Sequence, residues 1–335
     1  MAAARIVIHG AGSVGCFIGG CWQAAGLPIT FIGRQTFAKA IAEHGLSLSD
    51  FTGWQKRLDD VDFRPDPAAL ADADIIALCV KSGATAEAAQ DIASRARPGT
   101  LVISFQNGIS NVDVLRRELG DRFEVSRGIV QFNVAYLGDG RFHKGVAGAL
   151  YAEDRPETRS LAERIGDGPA PLKLSGDMTG LAWGKLLINL NNAVNALSGR
   201  TLLDEFKEQD YRRVVAASQR EGLGLLKRAG IRPAKIAAMD PKLLPFIIGS
   251  PGWLFRNVFL RKWKIDEKAR SSMNDDLAAG RKTEIDYING ELVALAEKLE
   301  TDAPINRRIV ELVRKAEAGA PSLSPSDMRR EVFGR

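Results

Sequence analysis

The apolar residues of this chain change rhythm near residue 180. Before it they come in short unbroken runs: Ile6-Val7-Ile8, Ile29-Thr30-Phe31-Ile32, Ile75-Ile76-Ala77-Leu78-Cys79-Val80 and Leu101-Val102-Ile103. Runs of this length, uncharged and rich in β-branched residues, predict strands buried on both faces of a parallel sheet. Helix-like segments alternate with them, the first from Phe17 to Ala25 with its stop at Gly26-Leu27-Pro28. Residues 45–63 alternate apolar and polar around Thr52-Gly53, which predicts a hairpin-like excursion. Residues 130–136 and 141–145 read as the last, partly antiparallel strands of the same sheet, with Leu172-Lys173-Leu174 as a further one. Beyond Gly180 the spacing becomes helical, over 181–198, 205–229, 273–279, 284–299 and 304–317. Pro, Phe and Trp scatter irregularly from Pro241 to Trp263, which leaves a lid, a packing insert and an association surface open, and the tail from Pro321 to Arg335 reads as loosely held.

The first run ends in Gly10-Ala11-Gly12-Ser13-Val14-Gly15. Strand, G-x-G-x-x-G and helix in that order form a cradle for a dinucleotide pyrophosphate. The first glycine permits a tight turn, the second admits the phosphate to the backbone, and the third lets the helix pack against the strand. Gly10, Gly12, Ser13, Val14 and Gly15 are therefore candidate cofactor contacts, at a helix N-terminus whose dipole favours anions. At the end of the second strand stands Arg34, where an NAD-binding chain offers Asp or Glu to the ribose; an arginine there pairs with a 2′-phosphate, so the expected cofactor is NADP(H). Lys81 and Asn107 arrive at the carboxyl ends of later strands, the ligand-binding edge of an open α/β sheet. The expected architecture is α/β: a Rossmann-type dinucleotide-binding domain over residues 1–170 and a mainly α-helical domain over 175–335, meeting at the turn-rich stretch from Gly166 to Pro171.

Composition narrows the function classes. The chain has 335 residues, 45% hydrophobic and 26% charged, an ordinary balance for a globular protein. No apolar run approaches the roughly 20 residues of a membrane span, and the N-terminus enters the first strand without a signal-like segment, so a cytoplasmic protein is expected. The net charge of +5 is spread along the chain, which fits anionic small ligands and gives no concentrated nucleic-acid-binding stretch. Cys16, Cys21 and Cys79 lie in apolar segments and read as reduced core residues, with no metal-ligand spacing. His143 reads as a polar strand residue rather than a catalytic one.

Within the helical part, Trp183 to Asn195 is unusual: a lysine and four asparagines interrupt an apolar segment. Asparagine is a poor residue for a helix interior, and at 3.6 residues per turn Lys185, Asn189 and Asn192 share one arc. Such a polar stripe on a buried helix needs partners, which a ligand cleft supplies. Farther on, Ser272 reads as an N-cap with Asp275 three residues later, and Thr283-Glu284-Ile285-Asp286 as a second helix start. One unbroken helix would hold Ser272 and Glu284 about 18 Å apart. Gly280 breaks it and makes a shared site possible.

These residues together resemble the ketopantoate reductase (2-dehydropantoate 2-reductase) family over nearly the whole chain. The likeness rests on Gly10-Ala11-Gly12-Ser13-Val14-Gly15, Val80-Lys81, Gln106-Asn107-Gly108, Lys185 with Asn189, and Ser271-Ser272-Met273 followed by Thr283-Glu284-Ile285-Asp286. It implies NADPH-dependent reduction of a branched 2-oxo acid to a 2-hydroxy acid. Lys185 would be the general acid and Glu284 its partner and a substrate ligand. Ser272 and Asn189 would bind substrate, and Arg34, Lys81 and Asn107 the cofactor; Asn192, from its place on the arc, and Asn107 are further candidate substrate contacts. The chain departs from the family pattern at Ala193, where a second asparagine is usual, leaving Asn192 and Asn195 as its candidate replacements, and in the stretch from Pro241 to Trp263. A reductase of another 2-oxo acid, a β-hydroxyacid-type dehydrogenase and an NADP-binding redox sensor without turnover remain open. The expected partners are a small 2-oxo acid and, as an option, a second copy of the chain, without nucleic acid or membrane.

Overall fold

The computed structural model describes residues 4–236, 240–261, 267 and 269–334; the end of the 241–263 stretch at Lys262 and Trp263, and the terminal Arg335, lie outside them. Contacts divide the chain into two units, Met1–Met178 and Thr179–Arg335. The division falls several residues beyond the turn-rich stretch that composition favours. The reason is a strand at Leu172–Ser175, which pairs with the first unit's sheet.

The first unit is built on strands β1 (Ile6–His9), β2 (Ile29–Ile32), β3 (Leu46–Asp50), β4 (Gln55–Leu58), β5 (Asp62–Arg64), β6 (Ile75–Leu78), β7 (Leu101–Ser104), β8 (Glu124–Val130), β9 (Val134–Tyr136), β10 (Arg141–Lys144), β11 (Leu150–Glu153) and β12 (Leu172–Ser175). Among the described residues these form an eight-stranded sheet in the order β12-β11-β8-β7-β6-β1-β2-β5 and a four-stranded sheet in the order β4-β3-β10-β9. In the large sheet only the β11–β8 pairing is antiparallel. β9 and β10 thus leave the sheet to which periodicity assigns them. β10 pairs with β3 and β9, making a second layer from the expected hairpin.

Helix α1 (Ser13–Ala24) lies between the two sheets, which explains why it is apolar on nearly every side. Two adjacent glycines make the fit possible. A Cβ on Gly19 would stand 2.4 Å from the Phe31 ring of the large sheet, and one on Gly20 would stand 2.8 Å from Leu48 of the small sheet. Phe17, Trp22, Phe31, Leu46, Leu48 and Phe142 fill this core, each buried side chain of this size contributing ~1.5–3 kcal/mol. On the opposite face, Val7, Ile76, Leu78 and Val102 pack against α3 (Thr85–Arg95) and α4 (Asn111–Leu119), numbered after α2 (Gln35–His44); α5 (Pro156–Ile165) precedes β12.

The second unit is helical: α6 (Met178–Asn189), α7 (Asn191–Ser198), α8 (Leu202–Lys207), α9 (Gln209–Arg228), α10 (Leu244–Ile248), α11 (Ser272–Ala278), α12 (Asn289–Lys298), α13 (Pro304–Glu317) and α14 (Pro325–Phe333). Between α10 and α11 the chain makes a turn of helix at Gly252–Leu254 and a π-helical stretch at Phe255–Leu260. No helix among the described residues is long and apolar enough to cross a membrane. The Ser/Pro-interrupted tail is not loose. Its serine and proline are a helix start: Ser324 accepts a hydrogen bond from Asp327 N at 3.2 Å, Pro325 takes the first position, and Met328 and Val332 bury one face against α9 and α13.

Candidate active site

In the first unit the parallel register brings β1, β2, β6 and β7 to a common carboxyl edge, with His9 opposite both Ile32 and Leu78, and Leu78 opposite Ser104. Gly10 follows β1 with φ +93°, where a side chain would be strained, and a Cβ on it would meet Val80 N at 2.4 Å. The loop is tied down by Gly10 N and Ala11 N, which both donate to Ile32 O at 2.9 and 2.8 Å. Nothing lies within 4 Å of a Cβ placed on Gly12, the N-cap of α1. No side chain caps α1 and no acidic residue stands in its first turn, so Ser13, Val14 and Gly15 present an N-terminus open to an anion.

Arg34 follows β2 as the N-cap of α2, exposed, with its guanidinium 5.0 Å from the centroid of the Phe37 ring. Lys81, exposed, follows β6 at the start of a 3-10 turn. Asn107 follows β7, and its position is fixed by buried polar residues, of which sequence reasoning passed over Ser82, Thr85 and Asn111. Its carbonyl accepts from Ser82 Oγ at 3.0 Å and from Asn111 Nδ2; Thr85 Oγ1 donates to Asn111 Oδ1 at 2.8 Å; Gln106 Nε2 donates to Val80 O at 3.1 Å. The two loops that carry Lys81 and Asn107 are therefore one hydrogen-bonded unit. His143 lies in the small sheet with Nδ1 2.9 Å from Ser49 Oγ, away from this edge. Burial pushes the Cys21 and Cys79 thiols up to about 12, which makes them inert core residues.

In the second unit, the residues from Gly180 to Ser198 are buried except four: Lys185, Ile188, Asn189 and Asn192. They stand at i, i+3, i+4 and i+7, one face of the nearly continuous α6–α7 pair. Ile188 was not singled out by polarity; its place three residues after Lys185 is the signal that finds it. Ala193 is fully buried, so the arc passes through position 192. Asn195 is buried too and its amide is bonded within the protein, which leaves Asn192 rather than Asn195 as the accessible asparagine.

Burial pushes the Lys185 amine down to about 8, against the opposing influence of the Glu284 carboxylate. The structure thus brings Lys185 and Glu284 within electrostatic reach. Glu284 is held by its neighbours: Glu317 at the end of α13 accepts from Thr283 N at 2.8 Å and from Thr283 Oγ1 at 2.7 Å, while Ile285 is buried. Glu317, 33 residues farther along, gave no sequence signal. α11 ends at Ala278 and Gly280 follows with φ +63°, so the expected break is present. The helix start is shifted by one residue from expectation. Ser271 is the N-cap, accepting from Asn274 N at 3.2 Å, which leaves Ser272 exposed in the first turn. Ser271 Oγ donates to Asn192 O at 3.1 Å, bringing the start of α11 to the Asn192 end of the arc. Thr283–Asp286 leads into a 3-10 turn at Ile285–Tyr287 rather than directly into α12.

Comparison with known proteins decides the family. Residues 6–157 match the family described as ketopantoate reductase PanE/ApbA, and residues 177–317 its C-terminal domain. The chain belongs to the ketopantoate reductase family. The 2-dehydropantoate 2-reductase of Halobacterium salinarum is 25% identical over 325 residues, covering 93% of this chain and 99% of that one. That of Pyrococcus abyssi is 27% identical, covering 94% and 98%. Among solved structures, a PanE/ApbA family ketopantoate reductase from Ralstonia eutropha JMP134 superposes with TM-score 0.80 at 28% identity, covering 94% of this chain and 98% of that one. The family's two parts coincide with the glycine-loop unit and the lysine-arc unit.

Proposed function

We propose that this protein reduces ketopantoate to pantoate with NADPH, the glycine-loop unit holding the cofactor and the helical unit the substrate. The observation that carries the reading is the Lys185–Glu284 pair on the accessible arc, in a chain of the ketopantoate reductase family. The first unit fits the cofactor. Gly10 and Gly12 leave the backbone open to a pyrophosphate, the α1 N-terminus faces it without a competing acid, and Arg34 stands exposed where a 2′-phosphate would lie. Lys81 and Asn107 are the further contacts on that edge.

NADPH supplies the hydride that reduces the carbonyl carbon. As charge develops on the carbonyl oxygen, Lys185 stabilises it through its ammonium and then gives up a proton from Nζ. An amine near 8 is protonated at neutral pH yet a much better acid than an ordinary lysine, which suits it to that transfer. Glu284 keeps the ammonium charged and accepts a hydrogen bond from a hydroxyl of the substrate. Asn189, Asn192 and Ser272 offer neutral donors to its carboxylate and hydroxyl groups, with Asn107 as a further candidate.

The test is NADPH oxidation with a panel of 2-oxo acids that includes ketopantoate, beside a direct NADPH-binding titration. Fastest turnover of ketopantoate is expected. Preference for a different 2-oxo acid overturns the substrate, and binding without oxidation of any of them overturns the enzyme. The same reading makes the protein cytoplasmic, in keeping with its free cysteines, and a homodimer is the assembly that sedimentation should test.

A further inference from the structure

The Asn195 carboxamide is fully buried and bonded through both of its polar atoms. Its Nδ2 donates to Glu205 Oε2 at 2.8 Å and to Arg200 O at 3.1 Å, and its Oδ1 accepts from Ser271 N at 2.9 Å and Asn274 Nδ2 at 3.1 Å. Asn274 Nδ2 also reaches Arg200 O at 2.9 Å and Asn195 O at 3.1 Å. Leu202 N donates to Ala269 O at 2.8 Å. The end of α7 with the turn that follows it, and the start of α11, which lies 76 residues beyond Asn195, meet in one polar joint. Ser272 follows directly on Ser271, and Asn192 lies three residues before Asn195, its carbonyl bonded to Ser271 Oγ. The Ser272 side chain is exposed and that of Asn192 partly so, while Asn195, Ser271, Asn274 and Glu205 are buried.

We propose that Asn195 is a positioning residue for substrate binding. Through Ser271 and Asn274 it sets Ser272 against Asn192, and Glu205 fixes its orientation. The proposal rests on the reductase reading of the Lys185 site. The chemistry of the amide is what makes the position specific: Oδ1 serves two donors only while Nδ2 faces acceptors, and Glu205 Oε2 and Arg200 O are those acceptors. A flipped amide would set Nδ2 against two donors and Oδ1 against two acceptors, so the joint has one arrangement.

The experiment is steady-state kinetics of Asn195→Ala, Asn195→Asp and the exchange variant Asn195→Asp with Glu205→Gln, with NADPH affinity measured separately on each. Asn195→Ala is expected to raise the ketopantoate KM about tenfold or more while kcat changes less than about threefold. NADPH affinity, which depends on the other unit, should stay within about twofold. Asn195→Asp sets two acids face to face and should raise KM similarly. The exchange variant restores a donor opposite an acceptor at position 205 while Arg200 O still faces the new carboxylate, so its KM should fall about threefold or more below that of Asn195→Asp. An unchanged KM in Asn195→Ala overturns the proposal, as does a fall in kcat and NADPH affinity alongside KM. An exchange variant no better than Asn195→Asp overturns it too, and decides alone if Asn195→Ala does not fold. Wild-type protein that reduces no 2-oxo acid defeats the reductase reading instead, a different result from any of these.

Discussion

The Glu284 carboxylate raises the pKa of Lys185 while burial lowers it, and burial prevails, leaving the amine at about 8. This balance ties the acid–base behaviour of the site to a residue 99 positions away in the chain. Catalytic turnover should fall as pH rises through about 8, where the ammonium is lost. In Glu284→Gln the counter-charge is gone, burial acts alone, and the alkaline limb of the kcat profile should move to lower pH. A limb that stays in place would detach Glu284 from the lysine. Lys185→Ala should lose most of kcat, ~10²-fold or more if general acid catalysis is removed, with NADPH binding intact.

The same lysine has a stability signature of opposite sign. Its folded pKa lies below its usual 10.5, so between about 8 and 10.5 the unfolded chain binds more protons, and this group makes stability rise with pH across that window. At neutral pH the partly desolvated ammonium is therefore a cost, ~3 kcal/mol at most. Lys185→Met should melt at higher temperature than wild type at pH 7 while being inactive, and the gain should shrink toward pH 10. A lower melting temperature at pH 7 would mean that the ammonium is better compensated than burial and Glu284 imply.

Glu205 behaves in the reverse way. Burial pushes its carboxyl up to about 8, against the hydrogen bond from Asn195 that favours the ionised form. The folded chain then binds more protons than the unfolded one between about 4.5 and 8, so this group's contribution is full at low pH and lost as pH rises to 8. Glu205→Gln keeps a neutral side chain of the same shape. Its thermal stability should exceed that of wild type by more at pH 8 than at pH 5, as followed by circular dichroism.

The parallel sheet was legible because a strand buried on both faces must be an unbroken apolar run, as Ile6–Ile8 and Ile75–Leu78 are. The small sheet was not, since alternation in Leu46–Asp50 and Arg141–Lys144 says that each is half-buried but not which partner it takes. Gly19 and Gly20 carried that information in a form that spacing does not reveal: both sides of α1 need close approach. In the helical unit the Lys185 arc follows from 3.6-residue periodicity, and Ile188 belongs to it by the same arithmetic. Glu317 and Asn195 act by bonds across tens of residues, so neither leaves a local pattern. The Ser324-Pro325 pair of the tail was visible, but composition suggested a break where the two residues begin a helix.

The glycine pair gives a test of the two-sheet packing. Gly19→Ala places a methyl 2.4 Å from Phe31, and Gly20→Ala places one 2.8 Å from Leu48. Either must displace these buried side chains or push α1 away from one sheet, a cost of about 1–3 kcal/mol for overpacking. That exceeds the roughly 0.5–1 kcal/mol gained from the better helix propensity of alanine. Denaturant midpoints should fall for both variants; a rise for either would mean that α1 has room the structure does not give it.

In the proposed reading Arg34 is the residue on which cofactor choice turns. It stands exposed at the end of β2, its guanidinium over the Phe37 ring, and the first acidic residue after it is Glu43, near the far end of α2. A 2′-phosphate there would make charge-assisted hydrogen bonds to the guanidinium, while a free ribose hydroxyl would gain little from it. Arg34→Ala should weaken NADPH binding by about 1.5–3 kcal/mol, roughly 10- to 100-fold in Kd. NADH affinity should change less than about twofold. Raised salt should narrow the difference between the two cofactors in wild type, because an exposed ion pair is screened. Equal losses for NADPH and NADH would move the 2′-phosphate contact to another residue on the same edge, with Lys81 the first to substitute.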